Sequence, residues 1–263
     1  MSNIEYDVRD DVAYVRINRP EKHNGLTLDM IDDLARAADR AKRDHSLRAV
    51  VLTGDGPSFC SGLDFASAGK EQRRLLMNFV PRRTSAANSF QAAGWAWRSV
   101  PAPVIAVVQG HCFGGGLQIA LGADFRFAHT GSDFSILEAK WGLIPDMSLS
   151  ASIAQLTTID VAKRLTMTGE TFSAQQALDW GLVSSVSDDP AAQAAELIEK
   201  LKERSPDAVA ASKALFENTW YSGSRFSFPV EQALQLGLLR GKNHAIARNA
   251  ALNKETPEFI ERQ

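Results

Sequence analysis

The fold class can be inferred from residues 104–128, which read VIAVVQGHCFGGGLQIALGADFRFA. The short apolar run at 104–108 is typical of a buried strand, and residues 125–128 predict a second strand. Between them, three glycines at 114–116 lead into residues 117–121, whose apolar side chains predict a short helix. An order of strand, helix and strand is typical of α/β proteins, and we therefore predict an α/β fold for the N-terminal part of the chain.

The residues before this stretch predict further elements of the same kind. Alternation of apolar and polar side chains predicts strands, whereas apolar residues at spacings of three and four predict amphipathic helices. Thr27 is a suitable N-cap for the first such helix. The predicted elements are a hairpin at 6–8 and 12–17 around Asp10 and Asp11, a helix from Thr27 to about residue 44, a strand at 49–53, a mobile flap at 66–84 and a helix at 86–98.

The residues after Pro145 follow an almost purely helical pattern. Thr158, Ser173 and Ser205 are predicted helix starts, Gly223 interrupts the pattern, and residues 230–251 predict one long helix. We expect two regions, an α/β core at 1–200 and a helical region at 201–263 that mediates oligomerisation.

Composition excludes several classes of protein. The chain has 263 residues, of which 44% are hydrophobic and 23% charged, and its formal net charge is −2. This balance is typical of a globular protein and argues against binding to nucleic acid or to an anionic membrane. No apolar run approaches the ~20 residues of a membrane span. Cys60 and Cys112 are the only cysteines, which fits a reducing compartment, so we expect a cytoplasmic protein.

Two glycine-containing loops are candidates for an anion site. One is Gly114–Gly116 before the predicted helix, and the other is SFCSGLD at 58–64 after the predicted strand. Loops at the ends of neighbouring strands can each direct a backbone N–H at one point, which is the geometry of an oxyanion hole. Tight packing of glycine is the structural alternative. A dinucleotide fingerprint is excluded, because Ile119 stands where a third glycine is required.

Several motifs together resemble one known family. They are INRPEKHNGL at 17–26, RAVVLTG at 48–54, FCSGLD at 59–64, PVIA at 103–106, GGG at 114–116 and GLIP at 142–145. Their order and spacing resemble the enoyl-CoA hydratase/isomerase (crotonase) superfamily. The resemblance implies a spiral of ββα units with a C-terminal helical region, and a homotrimer or a dimer of trimers. It also implies an acyl-CoA thioester substrate, with no metal and no cofactor apart from the coenzyme A of the substrate.

The resemblance also implies roles for individual residues. The amides of Leu63 and Gly115 match those that hold the thioester oxygen. Residues that match the coenzyme A-binding segments are Lys22, His23, Gly25, Ser61 and Leu63.

The catalytic positions match the family only in part. Hydratases use two glutamates, and this chain has Gln118 at the first position and Glu138 at the second. Asp146 matches an acid of the dienoyl-CoA isomerase branch. Hydration of a 2-enoyl-CoA and double-bond isomerisation therefore both stay open, and a non-catalytic coenzyme A-binding or scaffold protein is the alternative. A Ser61–His111–Asp64 hydrolase is a weaker hypothesis, because no nucleophile elbow surrounds the serine.

Overall fold

The computed structural model describes residues 3–81 and 86–263, and its first elements are those that the sequence predicts. A hairpin turns at Asp10 and Asp11, which both have positive φ, as a two-residue turn between twisted strands requires. The strands of the described residues are β1 (Ile4–Arg9), β2 (Val12–Ile17), β3 (Ala49–Gly54), β4 (Val104–Val108), β5 (His111–Phe113), β6 (Phe125–His129), β7 (Asp133–Ser135), β8 (Thr171–Ser173) and β9 (Ser185–Ser187).

Six of these strands form the main sheet, in the order β1-β2-β3-β4-β6-β9. Only β1 runs antiparallel to its neighbour. Every residue of β4 is buried, because parallel strands with both faces covered carry apolar side chains throughout. The strands predicted at 49–53, 104–108 and 125–128 are thus confirmed.

A second, smaller sheet has the order β5-β7-β8. Single bridges between Leu26 and Leu63 and between Cys60 and Cys112 extend this layer toward the loop at 58–64. None of these three strands is predicted from the sequence, because a strand of three residues is too short to show a period of two. The layer matters for the site, since it brings the two glycine-containing loops together.

Helices cover the sheet and fill the C-terminal part. They are α1 (Leu28–Arg43), α2 (Phe65–Ala68), α3 (Gln72–Met77), α4 (Ser89–Trp95), α5 (Gly115–Ala120), α6 (Leu149–Ile153), α7 (Ile159–Thr168), α8 (Ala174–Asp179), α9 (Pro190–Lys202), α10 (Pro206–Thr219), α11 (Ser224–Arg240) and α12 (Lys242–Asn253). The Thr27 hydroxyl accepts a hydrogen bond from the N–H of Met30, which confirms it as the N-cap of α1. Residues of α9 cover one face of the sheet, and α1 packs in the main core on the other.

Two predictions for the C-terminal part are wrong. A single helix at 230–251 is excluded, because Gly241 has extended backbone angles and separates α11 from α12. The pattern after Pro145 is not purely helical either, since β8 and β9 lie within it. Both strands have three residues, which again leaves no period to detect.

The predicted flap at 66–84 is partly helical. Its described residues contain most of α2, a 3-10 turn at Gly69–Glu71 and all of α3. Residues 82–85 lie outside the described part of the chain, and the mobility of the flap stays a prediction.

The C-terminal helices are attached to the core through a buried ion pair. Lys213 of α10 donates from Nζ to Asp124 Oδ2 at 2.6 Å, beside the backbone carbonyl of Trp97. A division of the chain at residue 200 stays a prediction, and α9 crosses that position. Among residues 3–81 and 86–263, no helix combines the length and the apolar character needed to cross a membrane.

Candidate active site

The two glycine-containing loops lie against each other. Gly62 has a φ of +91°, and a Cβ atom there would stand 3.1 Å from the carbonyl oxygen of Phe113 and 3.5 Å from the amide nitrogen of Gly115. A side chain at this position would therefore meet both strain and a close backbone neighbour. Glycine at 62 allows the loop to approach the start of α5.

Two backbone N–H groups at this contact have no acceptor within the described chain, those of Leu63 and Gly115. Leu26 explains the first: its N–H donates to Gly62 O and its carbonyl accepts from Asp64 N, and this pairing skips the amide of Leu63. Gly115 is the first residue of α5, where amides have no partner inside the helix. Two donors are thus available at the junction of the loops.

Both amides belong to residues that line a cavity of about 560 Å³. The glycine-containing loops form one wall, α2 and α3 contribute a second, and residues 137–147 contribute a third. A volume of this size is typical of a small-molecule site.

Gln118 and Glu138 are directly hydrogen bonded beside this cavity. Gln118 Nε2 donates to Glu138 Oε1 at 2.6 Å, and Gln118 Oε1 accepts from the N–H of Met147 at 2.9 Å. Gln118 is fully buried and fixed at both ends of its amide. Glu138 Oε2 is buried as well, but it has no hydrogen-bond partner in the described part of the chain. The carboxyl group therefore has one oxygen that is bound and one that is available.

The environment favours the protonated form of both acids in the cavity. Burial raises the pKa of Glu138, and the nearby charge of Asp146 raises it further, whereas the hydrogen bond from Gln118 opposes the shift. Burial likewise raises the pKa of Asp146. A raised pKa makes a carboxyl group a stronger base when it is ionised, which suits a group that accepts and returns a proton.

The residues expected to bind coenzyme A lie together around the loop at 58–64. Ser61 donates from its N–H to His23 O at 2.9 Å and from its hydroxyl to Lys22 O at 3.4 Å. A Cβ on Gly25 would stand 3.4 Å from the Ser61 hydroxyl. The structure thus brings Lys22, His23, Gly25 and Ser61 next to Leu63.

Arg19 was not among the predicted site residues, although it stands in the quoted INRPEKHNGL motif. Its Nη1 donates to Gly25 O and to Asp64 Oδ2, at 2.8 Å each. Asp64 also accepts from the N–H of Ser67 and so caps α2. One ion pair therefore ties the segment before Gly25 to the loop that carries the Leu63 amide.

The hydrolase hypothesis is wrong, because its three residues have other partners. His111 Nδ1 lies 2.6 Å from Asp133 Oδ1. Asp64 is paired with Arg19, and the Ser61 hydroxyl donates to a backbone carbonyl. The histidine and the serine therefore do not form a nucleophilic pair.

Comparison with known proteins identifies the family. A family model described as enoyl-CoA hydratase/isomerase matches residues 7–259. The chain belongs to the enoyl-CoA hydratase/isomerase family. The family assignment made from the motifs is thereby confirmed.

Relatives in this family carry out more than one reaction. The chain is 32% identical over 213 residues to an (E)-benzylidenesuccinyl-CoA hydratase of Thauera aromatica, which covers 80% of each chain. It is 26% identical over 261 residues to a peroxisomal Delta(3,5)-Delta(2,4)-dienoyl-CoA isomerase of Arabidopsis thaliana, covering 91% of this chain and 94% of the relative. Membership in the enoyl-CoA hydratase/isomerase family therefore leaves the reaction itself undetermined.

A solved structure confirms the fold class. The crystal structure of an enoyl-CoA hydratase from Bacillus anthracis superimposes with a TM-score of 0.88 at 26% identity, over 98% of this chain and 99% of that one. The mixed α/β architecture is accordingly that of the crotonase superfamily.

The apolar side of the cavity was not predicted from the sequence. Aromatic and aliphatic side chains of α2, α3, α4 and the residues after α3 line it, among them Phe65, Leu75, Phe79 and Phe90. The sequence signal was weak, because the segment 66–84, which carries Leu75 and Phe79, is polar overall and has no clear period.

Proposed function

We propose that this chain moves a proton on the acyl group of an unsaturated acyl-CoA, and that its principal reaction is a shift of a double bond between the 3- and 2-positions. One observation carries the proposal: the unpartnered Oε2 of Glu138 belongs to a residue of the same cavity as the free amides of Leu63 and Gly115. Such an arrangement provides two hydrogen-bond donors for an oxygen and one base for a nearby carbon.

The two amides form the proposed oxyanion hole. When a thioester carbonyl accepts hydrogen bonds from Leu63 and Gly115, negative charge that develops on its oxygen is stabilised. Each donor of this type contributes about 10²- to 10³-fold to the rate. The carbonyl also withdraws charge from the adjacent carbon, so the protons on C2 become acidic.

Glu138 is the proposed proton carrier. Its carboxylate removes a proton from C2 of a 3-enoyl thioester, and the electron pair moves through the conjugated system onto the thioester oxygen. The protonated carboxyl group then returns the same proton to C4 as the electron pair moves back from the oxygen, so that the C=O bond is restored and the double bond now lies between C2 and C3. This sequence balances without water, metal or redox cofactor, so the coenzyme A of the substrate is the only cofactor that we propose.

Gln118 has a positioning role in this proposal. Its amide cannot exchange a proton at neutral pH, and its hydrogen bonds hold Glu138 on one side and the backbone of Met147 on the other. The Gln118 hydrogen bond holds Oε1 of Glu138, and in this proposal Oε2, which has no partner in the described part of the chain, accepts the substrate proton.

Hydration of a 2-enoyl thioester is the second candidate. It needs one group that activates water and one that delivers a proton to C2. Asp146 supports it, because this second acid lines the same cavity and also has a raised pKa. A non-catalytic coenzyme A-binding protein is the remaining alternative.

A thioester panel tests the proposal. Purified protein is incubated with 2-enoyl-, 3-enoyl- and 3,5-dienoyl-CoA, and the conjugated thioester is followed by its absorbance. Exchange at C2 of a saturated acyl-CoA in D₂O is measured in parallel by mass spectrometry.

We expect conjugation to increase with the 3-enoyl substrate and deuterium to enter at C2. Loss of conjugation with the 2-enoyl substrate alone would favour hydration. Binding of acyl-CoA without exchange or turnover would support the non-catalytic alternative. Titration with NAD is the negative control, since the glycine-containing loop lacks a dinucleotide fingerprint.

A further inference from the structure

Aromatic side chains face each other in two pairs at the cavity. The rings of Phe65 and Trp141 are 4.7 Å apart with an interplanar angle of 37°, and those of Phe79 and Phe90 are 5.0 Å apart with an angle of 44°. All four residues line the cavity. The first pair links α2 to the 3-10 helix at Leu137–Trp141, so it connects two walls of the site.

Several apolar side chains that line the cavity are exposed to solvent. Trp141 is 60% exposed and Ile144 is 77% exposed. Leu143 and Phe79 beside them are about half exposed. An apolar surface of this kind in a concave site gains free energy when a ligand covers it, in proportion to the apolar area removed from water.

The ionisable side chains that line the cavity in the described part of the chain are all acidic. Its ionisable residues within the described chain are Glu138 and Asp146, both acids, and no lysine or arginine of that part of the chain lines it. Arg74 of the adjacent α3 is paired with Asp29, Asp32 and Glu71. Within residues 3–81 and 86–263, a negatively charged group on the acyl chain has no cationic partner in this cavity, and the loss of its hydration would not be compensated.

We propose that the acyl group of the substrate is uncharged and carries a bulky apolar tail ending in a ring, and that Phe65 and Trp141 determine this specificity. The inference depends on the proposed function, because it assumes that a thioester binds at the glycine-containing loops. C2 to C4 then lie at Glu138, beside Gly114. The rest of the acyl chain extends into the part of the cavity that the aromatic pairs line. A four-carbon acyl group would bury less apolar area against these rings than a longer acyl group that ends in a ring.

Binding of saturated thioesters tests the inference independently of turnover. The probes are 3-phenylpropionyl-CoA, butyryl-CoA and glutaryl-CoA, and their affinities are measured by calorimetry. We expect phenylpropionyl-CoA to bind at least 10-fold more tightly than butyryl-CoA, and glutaryl-CoA to bind most weakly. Equal affinities, or a preference for the dicarboxylic thioester, would overturn the inference.

Two variants identify the residues responsible. Trp141→Ala should reduce the preference for phenylpropionyl-CoA over butyryl-CoA to less than about 3-fold, while free coenzyme A binds as in the wild type. Tyr14→Ala is the matched control, because it removes an aromatic ring that is 40% exposed on β2 and lies outside the cavity. Phe65→Leu preserves an apolar side chain and should lower the preference for phenylpropionyl-CoA in part. If Trp141→Ala does not fold, Phe65→Leu tests the role of the aromatic pair.

Failure of this inference and failure of the proposed function give different results. A wild-type preference that is unchanged in both cavity variants would refute the role of the aromatic pair, even if the thioesters are turned over. Tight binding of phenylpropionyl-CoA with no proton exchange on any thioester would instead leave the specificity intact and refute the proposed reaction.

Discussion

Glu138→Gln is the substitution that tests the proton carrier most directly. It replaces a carboxyl group by an amide of almost the same shape. The new amide oxygen can accept the hydrogen bond of 2.6 Å that Gln118 Nε2 donates, so the contact of Gln118 with Met147 is also preserved. The amides of Leu63 and Gly115 are untouched. We therefore expect the fold and the thioester site to remain and only the exchangeable proton to be lost.

The expected loss of activity can be estimated because the variant removes the proton carrier and leaves the oxyanion hole in place. A positioned general acid–base contributes typically ~10²- to 10⁴-fold, which corresponds to ~3–5 kcal/mol of activation free energy. The oxyanion-hole contribution should persist, since it depends on backbone groups. We expect kcat on the preferred thioester to fall by about 10²-fold or more, with KM changed by less than about threefold.

Steady-state absorbance assays and C2 exchange in D₂O measure this loss. Glu196→Gln is the matched control. It makes the same change of side chain on the exposed face of α9, where Glu196 is paired with Lys200. The control should retain wild-type kcat. If Glu138→Gln also retains full kcat on every substrate that the wild type converts, Glu138 is not the proton carrier, and Asp146 or a group of the substrate must act instead.

Glu138→Gln should also change how the free energy of unfolding depends on pH. A carboxyl group whose pKa is raised in the folded state binds its proton more tightly there than in the unfolded chain. Its contribution to the free energy of unfolding therefore decreases as pH rises from the ordinary glutamate pKa to the raised value. Glu138→Gln removes this dependence. Urea unfolding midpoints measured at two pH values should show that the stability of the variant, relative to wild type, is greater at the higher pH.

Three further predictions concern the second acid, the glutamine and the C-terminal helices. Asp146→Asn removes a negative charge that raises the pKa of Glu138, so the acidic limb of the kcat/KM profile should move to lower pH; an unchanged limb would exclude this coupling. Gln118→Glu supplies a second carboxyl group beside the first, and the ratio of hydration to isomerisation should rise in product analysis. Light scattering should give three or six times the 28.7 kDa of one chain, since α11 has no buried residue within the monomer; a monomer at micromolar concentration would contradict this expectation.

Much of the main sheet could be predicted from the sequence, because each of its central strands is a continuous apolar run. β3 and β4 are examples, and turn-forming residues follow both. The N-cap at Thr27 was also readable, since its side chain acts within its own turn. Elements of three residues, such as β5 and β8, gave no signal. Their existence depends on pairing partners more than 20 residues away along the chain.

The break at Gly241 illustrates a second limit. Residues on either side of it have the same helical composition, so local propensity favoured continuation. The helix α11 also contains Pro229, which composition alone would place near a helix end. In the structure α11 and α12 both pack against α10, a contact that cannot be predicted from residue spacing.

The environment of Glu138 shows why the chemistry of the site could not be predicted from the sequence alone. Motif matching assigned the acid and its missing partner, but it could not show that Gln118 binds only one oxygen of the carboxyl group. Nor could it show that the carboxyl group is buried beside Gly114 and Gln118, or that this burial raises its pKa.

In the proposed reaction, the asymmetry of that carboxyl group would allow one acid to serve two carbons. A carboxylate with both oxygens bound would have to break a hydrogen bond each time it accepted a proton. Here Oε1 stays bound to Gln118, and Oε2 can hold the proton while the bond pattern of the substrate changes. Because Gln118 is fully buried and fixed by Met147, it resists rotation that would exchange the two oxygens. A glutamine at this position is therefore compatible with proton transfer by a single carboxyl group, and its presence is not by itself a sign of lost activity.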